Sequence, residues 1–299
     1  MVQTADGNVY LQAGKNRSSI VRVDGLDSIR RLPPIELNIN KEMLIEAKNY
    51  FLRQEQNRTK ISNDDNMTIA ICPDAPTIDG KLDEWKKAQW VTVDPLTKAA
   101  MVVADDNLFA AFTTTYPLTL DNRPDSAQTI FKGGDALDIM LGINPAADLK
   151  RQKPVAGDIR LTVAMVKGKT LAVLFHAVDL QSKNPVKYES PIGSATIDSV
   201  EDISEQVELA GRIRTDQKTG NKYAEWELSV PMTALGLDVK DGQTILGDIG
   251  ILRGNPGLSG ERLYWHNKAA GQTADLPTEA LLTPELWGRL TFKDTTADK

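Results

Sequence analysis

The residues best equipped for chemistry lie in the last third of the chain. Arg253 opens the Gly/Pro-rich run Arg253-Gly254-Asn255-Pro256-Gly257, Tyr264-Trp265-His266-Asn267 follows, and Asp275 stands a few residues on. An indole face suits the C–H side of a sugar ring, and guanidinium, amide and carboxylate groups are planar partners for its hydroxyls. Arg253, Trp265, Asn267 and Asp275 are therefore candidates for a shallow surface that takes a polyhydroxy ligand. A lone Trp in a strand is more often core, so Trp265 keeps that second reading. Tyr116 and Arg123, in a loop between two strands, are secondary candidates.

The acidic residues suggest less. Asp135 and Asp138 open a strand after Gly133-Gly134. Three apart on a strand they face opposite ways, unless the glycines bend the chain. Asp105-Asp106 reads as a turn, and Arg160 beside Asp158 as an ion pair. Glu227 turned inward would need backbone donors or an arginine, and reads as structural. No nucleophile elbow, phosphate loop or His-Glu-x-x-His motif is present. Gly247-Asp248-Ile249-Gly250 lacks the helix that a dinucleotide site needs. The sequence reads as that of a non-enzyme.

Composition narrows the partners. The chain has 299 residues, 35 basic and 41 acidic, for a formal charge of −6. With no basic cluster, nucleic acid is not an expected partner. One cysteine, Cys72, allows no intrachain disulfide, and two histidines beside it argue against a Cys/His zinc site. No apolar run nears the about 18 residues of a membrane-spanning helix, so no membrane insertion is expected.

The elements that must position these residues are mostly strands. Asn8–Ala13 and Ser19–Val23 predict a small hairpin, and Lys41–Gln56 a helix capped by Asn40. A polar linker follows over Asn57–Asn66. From Met67 on, about a dozen short strands are separated by turn residues, with only one convincing helix in the whole chain. This predicts an all-β fold, an antiparallel β-sandwich, over residues 67–294. Residues 1–66 form a hairpin-plus-helix extension and 295–299 a disordered tail.

One stretch organises the sandwich: Thr77-Ile78-Asp79-Gly80-Lys81-Leu82-Asp83-Glu84-Trp85. Asp79-Gly80 is a turn pair, and Leu82 and Trp85 share one face of a short helical turn while the charges stay wet. This stretch resembles the opening signature of family 9 carbohydrate-binding modules, relatives of the DOMON-like, jelly-roll sandwiches. Val103–Phe109, Gly134–Ile139, Glu227–Pro231 with Leu235–Leu237, and Leu286–Phe292 match that family in order, over roughly residues 68–294.

The resemblance implies a non-catalytic, glycan-recognising module of a larger exported bacterial protein, extracellular or periplasmic, with carbohydrate and neighbouring domains as partners. It implies that Asp138 hydrogen-bonds the sugar. Where members clamp the sugar between two tryptophans, this chain has Phe131 beside Lys132 at the first place. At the second, Gln272–Leu276 offers no ring. Members often hold structural calcium, to which Asp79, Asp83, Glu84 and Asp94 could supply oxygens, although nothing matches an EF-hand loop and no specific ligand set is defined. Two alternatives stay open. One is a DOMON-like domain holding haem b, with Met101, Met140, Met165, His176 and His266 as available ligands. The other is a structural interaction domain without a small ligand.

Overall fold

The computed structural model describes the backbone of residues 2–3, 9–12 and 20–22, then residues 65–190, 193–217, 220, 222–268 and 277–295. The chain separates into two compact units, Met1–Lys60 and Ile61–Lys299. In the first, β1 (Val2–Gln3), β2 (Val9–Gln12) and β3 (Ile20–Arg22) form a three-stranded antiparallel sheet in the order β1-β2-β3. The expected hairpin is therefore present, with one strand added. The helix expected over 41–56 lies outside the described residues. So does most of the 57–66 linker, although Asn66 already belongs to the next strand.

The second unit is built from strands. These are β4 (Asn66–Ile71), β5 (Val91–Asp94), β6 (Thr97–Ala104), β7 (Asn107–Thr114), β8 (Ala136–Gly142), β9 (Asp158–Val166), β10 (Lys169–His176), β11 (Val186–Ser190), β12 (Gly193–Ile197), β13 (Ser199–Asp202), β14 (Glu208–Thr215), β15 (Lys222–Pro231), β16 (Thr244–Asn255), β17 (Leu258–Tyr264) and β18 (Gly288–Asp294). The main ladder runs β13-β10-β9-β8-β16-β18-β4-β6-β7-β15-β14, with β17 added to β16 and β5 to β6. It curls so that its two halves face each other across one core.

The sheet is mixed, where purely antiparallel pairing was expected. β4 runs parallel to both of its neighbours, β18 and β6. Parallel neighbours need a long crossover between them. The chain between β4 and β6 supplies it, carrying the 3-10 turn Asp83–Lys87 and β5.

Side chains alternate between two covered faces, so the strands carry little polar punctuation. Leu137, Ile139 and Leu141 of β8 point into the central core with Met67, Met101, Phe112, Ile249 and Phe292. Ala136 and Met140 point the other way, into a second cluster with Phe131, Phe175, Tyr188, Tyr264 and Trp287. That outer cluster lies under the 3-10 segment Ala127–Lys132 and the β11–β12 hairpin, both of which pack Phe131 or Tyr188 onto it. On the opposite layer, Ala100, Val102, Phe109 and Ala111 meet Trp85 in a third cluster.

The Thr77–Trp85 stretch is the plug that its sequence suggests. Gly80 has φ +79°, and a side chain there would press against the Gly211 backbone, so a residue without Cβ is required. Lys81 N donates to Asp79 Oδ1 (2.9 Å), and Trp85 is 2% exposed. Glu227 is wholly buried and receives Gly80 N (2.7 Å) and Trp85 Nε1 (2.6 Å), the backbone and side-chain donors that it lacked within its own strand. At the C-terminus, Thr295 is not part of a loose tail. Its N and Oγ1 both donate to Ile71 O, and only 296–299 lie outside the described residues.

Candidate functional site

Arg253 lies at one end of the central core. Ile249 and Ile251 of β16 point into that core, and Arg253 continues the same face just beyond it. Its Nη2 donates to Asp94 Oδ2 (2.5 Å) and Thr97 Oγ1 (3.1 Å) on the opposite layer. Its Nη1 is 3.8 Å from Glu261 Oε2, whose side chain is 50% exposed. The guanidinium carbon sits 4.9 Å from the centroid of the half-buried Tyr116 ring. Thr97 Oγ1 donates to Thr114 Oγ1 (2.9 Å), which in turn receives Tyr116 N (3.1 Å), so the ring is tied to the same bond chain.

Asp135 supports this rim from beneath. Oδ1 receives Gly254 N (2.8 Å), and Oδ2 receives Thr119 N (3.1 Å). Burial pushes its pKa up against the pull of these donors. The Tyr116 phenol is also raised, first by burial and then by the Asp135 charge, with Arg253 acting against both. The result is a partly exposed aromatic ring beside a guanidinium and carboxylates.

Asp138 faces the other way from Asp135, as three-residue spacing on a strand requires. It is wholly buried. Arg160 Nε donates to both of its oxygens (2.9 and 3.0 Å), Thr162 Oγ1 to Oδ1 (2.7 Å) and Tyr264 OH to Oδ2 (2.5 Å). Gly250 makes the last contact possible. Asp138, Gly250 and Tyr264 are aligned across β8, β16 and β17, and a Cβ on Gly250 would stand 2.5 Å from the tyrosine ring.

Phe131 roofs this network, its ring centroid 5.0 Å from the Arg160 guanidinium carbon. Tyr188 packs edge-on against Phe131, and its OH donates to Gln128 O (2.9 Å). Arg160 Nη1 donates to Glu279 O (3.0 Å), which adds a third covering segment. Burial works against the Arg160 charge, yet the adjacent Asp138 carboxylate holds its pKa above the ordinary value. The Tyr264 phenol is raised by burial and then by Asp138.

The six expected site residues therefore fall in separate places. Phe131 and Asp138 meet at Arg160, inside the protein. Trp265 is 1% exposed in the central core, beside Gly288, where a Cβ would stand 2.4 Å from its ring. Asn267 is buried, and its N donates to Asp248 Oδ2 (2.7 Å). Arg253 is itself buried, at 9% exposure, and meets the rim only through the half-buried Tyr116 and the exposed Glu261, and Asp275 lies outside the described residues. The stacking role expected of Phe131 and Trp265 is corrected: neither ring offers a face to solvent, because each fills space between layers. The Arg160–Asp158 pairing is also corrected. Asp158 binds Arg151, and Arg160 binds Asp138.

Sequence reasoning missed Tyr264 and Glu261, and gave Asp94 only as a calcium donor. Arg160 and Asp138 did carry a signal: Asp138 is the single charge of β8 and Arg160 stands between the apolar Ile159 and Leu161 of β9, which demands a buried partner of opposite sign. The calcium donors are not gathered. Asp79 pairs with Lys81, Glu84 receives Thr77 N, and Asp94 binds Arg253. Among the described residues no group of three or more His, Cys, Asp or Glu side chains is placed to hold a metal. The haem ligands are likewise dispersed: Met101 is in the central core, Met140 in the outer cluster, His176 beside Glu201 and His266 beside Leu286 O. No described helix is long and apolar enough to cross a membrane.

No protein-family profile and no curated protein matches the chain. Among solved structures, it is similar to a family 9 carbohydrate-binding module from Caldicellulosiruptor kristjanssonii in complex with cellotriose. The TM-score is 0.39 at 10% identity, over 78% of this chain and 96% of that one. The same module in complex with glucose gives 0.39 at 10%, over 77% and 97%. A candidate carbohydrate-binding protein from Bacteroides uniformis ATCC 8492 gives 0.45 at 10%, over 76% and 99%. At such identity and such scores the likeness carries no argument about ligand or residue roles, and the all-β sandwich stands on the strand pairing described above.

Proposed function

We propose that the second unit is a non-catalytic carbohydrate-binding domain of a larger exported protein, and that its ligand meets the rim where Arg253 lies against Tyr116. The observation that carries this reading is that one stack, with Asp94 and Glu261 beside it. A sugar needs a partly exposed ring for its C–H face and planar hydrogen-bonding groups for its hydroxyls. The ordered motifs of the sequence support the same ligand class. Three carboxylates (Asp94, Asp135 and Glu261) surround one guanidinium, which favours neutral or cationic sugars over acidic ones.

The test is isothermal titration with a panel of neutral, amino and acidic mono- and oligosaccharides. Binding of a neutral or amino sugar is expected, with Tyr116→Ala weakening it about fivefold, the worth of roughly 1 kcal/mol of stacking. Absence of binding across the panel overturns the proposal.

A second reading, a structural domain without a small ligand, is favoured by one observation. The Asp138 position is filled and roofed by the chain's own Arg160, Phe131 and Tyr188. The silent panel is the outcome that reading requires.

A further inference from the structure

β14 ends the ladder. It pairs with β15 on one side, and no hydrogen bond from another described segment reaches its other edge. Such an edge is a template for one more strand. Its core-side residues, Leu209 beside Leu228 and Ile213 beside Ala224, continue the inner face outward, and Ile213 is 55% exposed. Glu208, Ala210, Arg212 and Arg214 occupy the opposite face.

We propose that this edge pairs antiparallel with β14 of a second copy of the chain, about a two-fold axis through Gly211. The axis must stand perpendicular to the sheet, so residues on the same face oppose one another. With Gly211 on the axis, Glu208 meets Arg214 twice and Leu209 meets Ile213 twice, over residues 208 to 214 of each chain. Both kinds of cross-strand pair are favourable. The neighbouring registers are poorer. An axis on Arg212 sets two arginines face to face, and one on Ile213 sets Arg212 against Arg214. An axis on Ala210 leaves an overlap of only 208 to 212. The Gly211 register thus combines a long overlap with complementary pairs, while like charges disfavour the Arg212 and Ile213 registers and a shorter overlap disfavours the Ala210 register.

The expected consequence is a dimer of the full chain whose light-scattering mass rises from one chain to two with concentration. Ile213→Lys places a charge opposite Leu209 and returns it to one chain at all concentrations, with the melting temperature that the parent has at dilutions where it is one chain. The register has its own test, in a Cys72→Ser background. A mixture of Leu209→Cys and Ile213→Cys chains forms a disulfide-linked pair on oxidation, since opposed residues on adjacent strands lie within disulfide reach. Neither variant alone does so. A mass of one chain throughout, a dimer that Ile213→Lys leaves intact, or linked pairs in either single variant overturns the proposal.

Discussion

Trp85 donates its indole N–H to Glu227 Oε1 at 2.6 Å, across 142 residues of sequence. The other carboxylate oxygen takes the Gly80 N–H. One buried side chain thus bolts both parts of the plug, its turn and its helical turn, onto β15. The plug covers the small side chains Ala100 and Ala111, which could not close that face themselves.

Removing this bolt is expected to cost much of the domain's stability. Glu227→Ala leaves two buried donors without an acceptor, for about 2–4 kcal/mol. Glu227→Gln keeps one acceptor and costs about 1–2 kcal/mol. Glu84→Ala, at the exposed surface of the same plug, changes stability by a few tenths. Urea denaturation of the three variants checks the order.

The Asp138–Arg160 pair is expected to behave as a buried ion pair. Asp138→Leu or Arg160→Met alone strands the partner and costs about 3–5 kcal/mol. Replacing both, Asp138→Leu with Arg160→Met, costs less than either single change, because no isolated charge remains. A double-mutant cycle on unfolding free energies measures this. Additive losses contradict the pairing.

A pH dependence follows from Asp248. It is buried with His266 N, Asn267 N and Ile249 N as donors, yet burial pushes its pKa from 3.8 to about 6. Because the folded value is the higher, the folded state holds the proton longer. The stabilising contribution is full below about 3.8 and is lost as pH rises through about 6, a change of about 3 kcal/mol. Unfolding free energy is therefore expected to fall across this window. Asp248→Asn, which has no proton to lose, removes that part of the slope. Denaturation at a series of pH values tests both arms.

Local features were legible in the sequence wherever turn chemistry was local. Asp105-Asp106 adopts positive φ at both residues and joins β6 to β7, the turn that the dipeptide suggests. β11 and β12 escaped notice because their apolar residues, Val186, Tyr188, Ala195 and Ile197, are few and set among polar ones. The parallel placement of β4 was hidden because no local pattern states the direction of a distant neighbour. The site suffered most. Asp138 and Arg160 are 22 residues apart and Arg253 and Asp94 are 159 apart, so the partner of each charge is set by the curl of the ladder. An aromatic at a strand's end looks the same from sequence whether it fills a core, as Trp265 does just after β17, or faces water.

The sugar-binding rim is the claim on which the functional reading rests. Its most direct test is titration of isotope-labelled protein with neutral sugars, following backbone amide shifts by NMR. Saturable shifts centred on Tyr116, Arg253 and Glu261, absent in Tyr116→Ala, are the predicted result. Unmoved amides there, whether the spectrum stays still or changes only around the roof over Asp138, would contradict it.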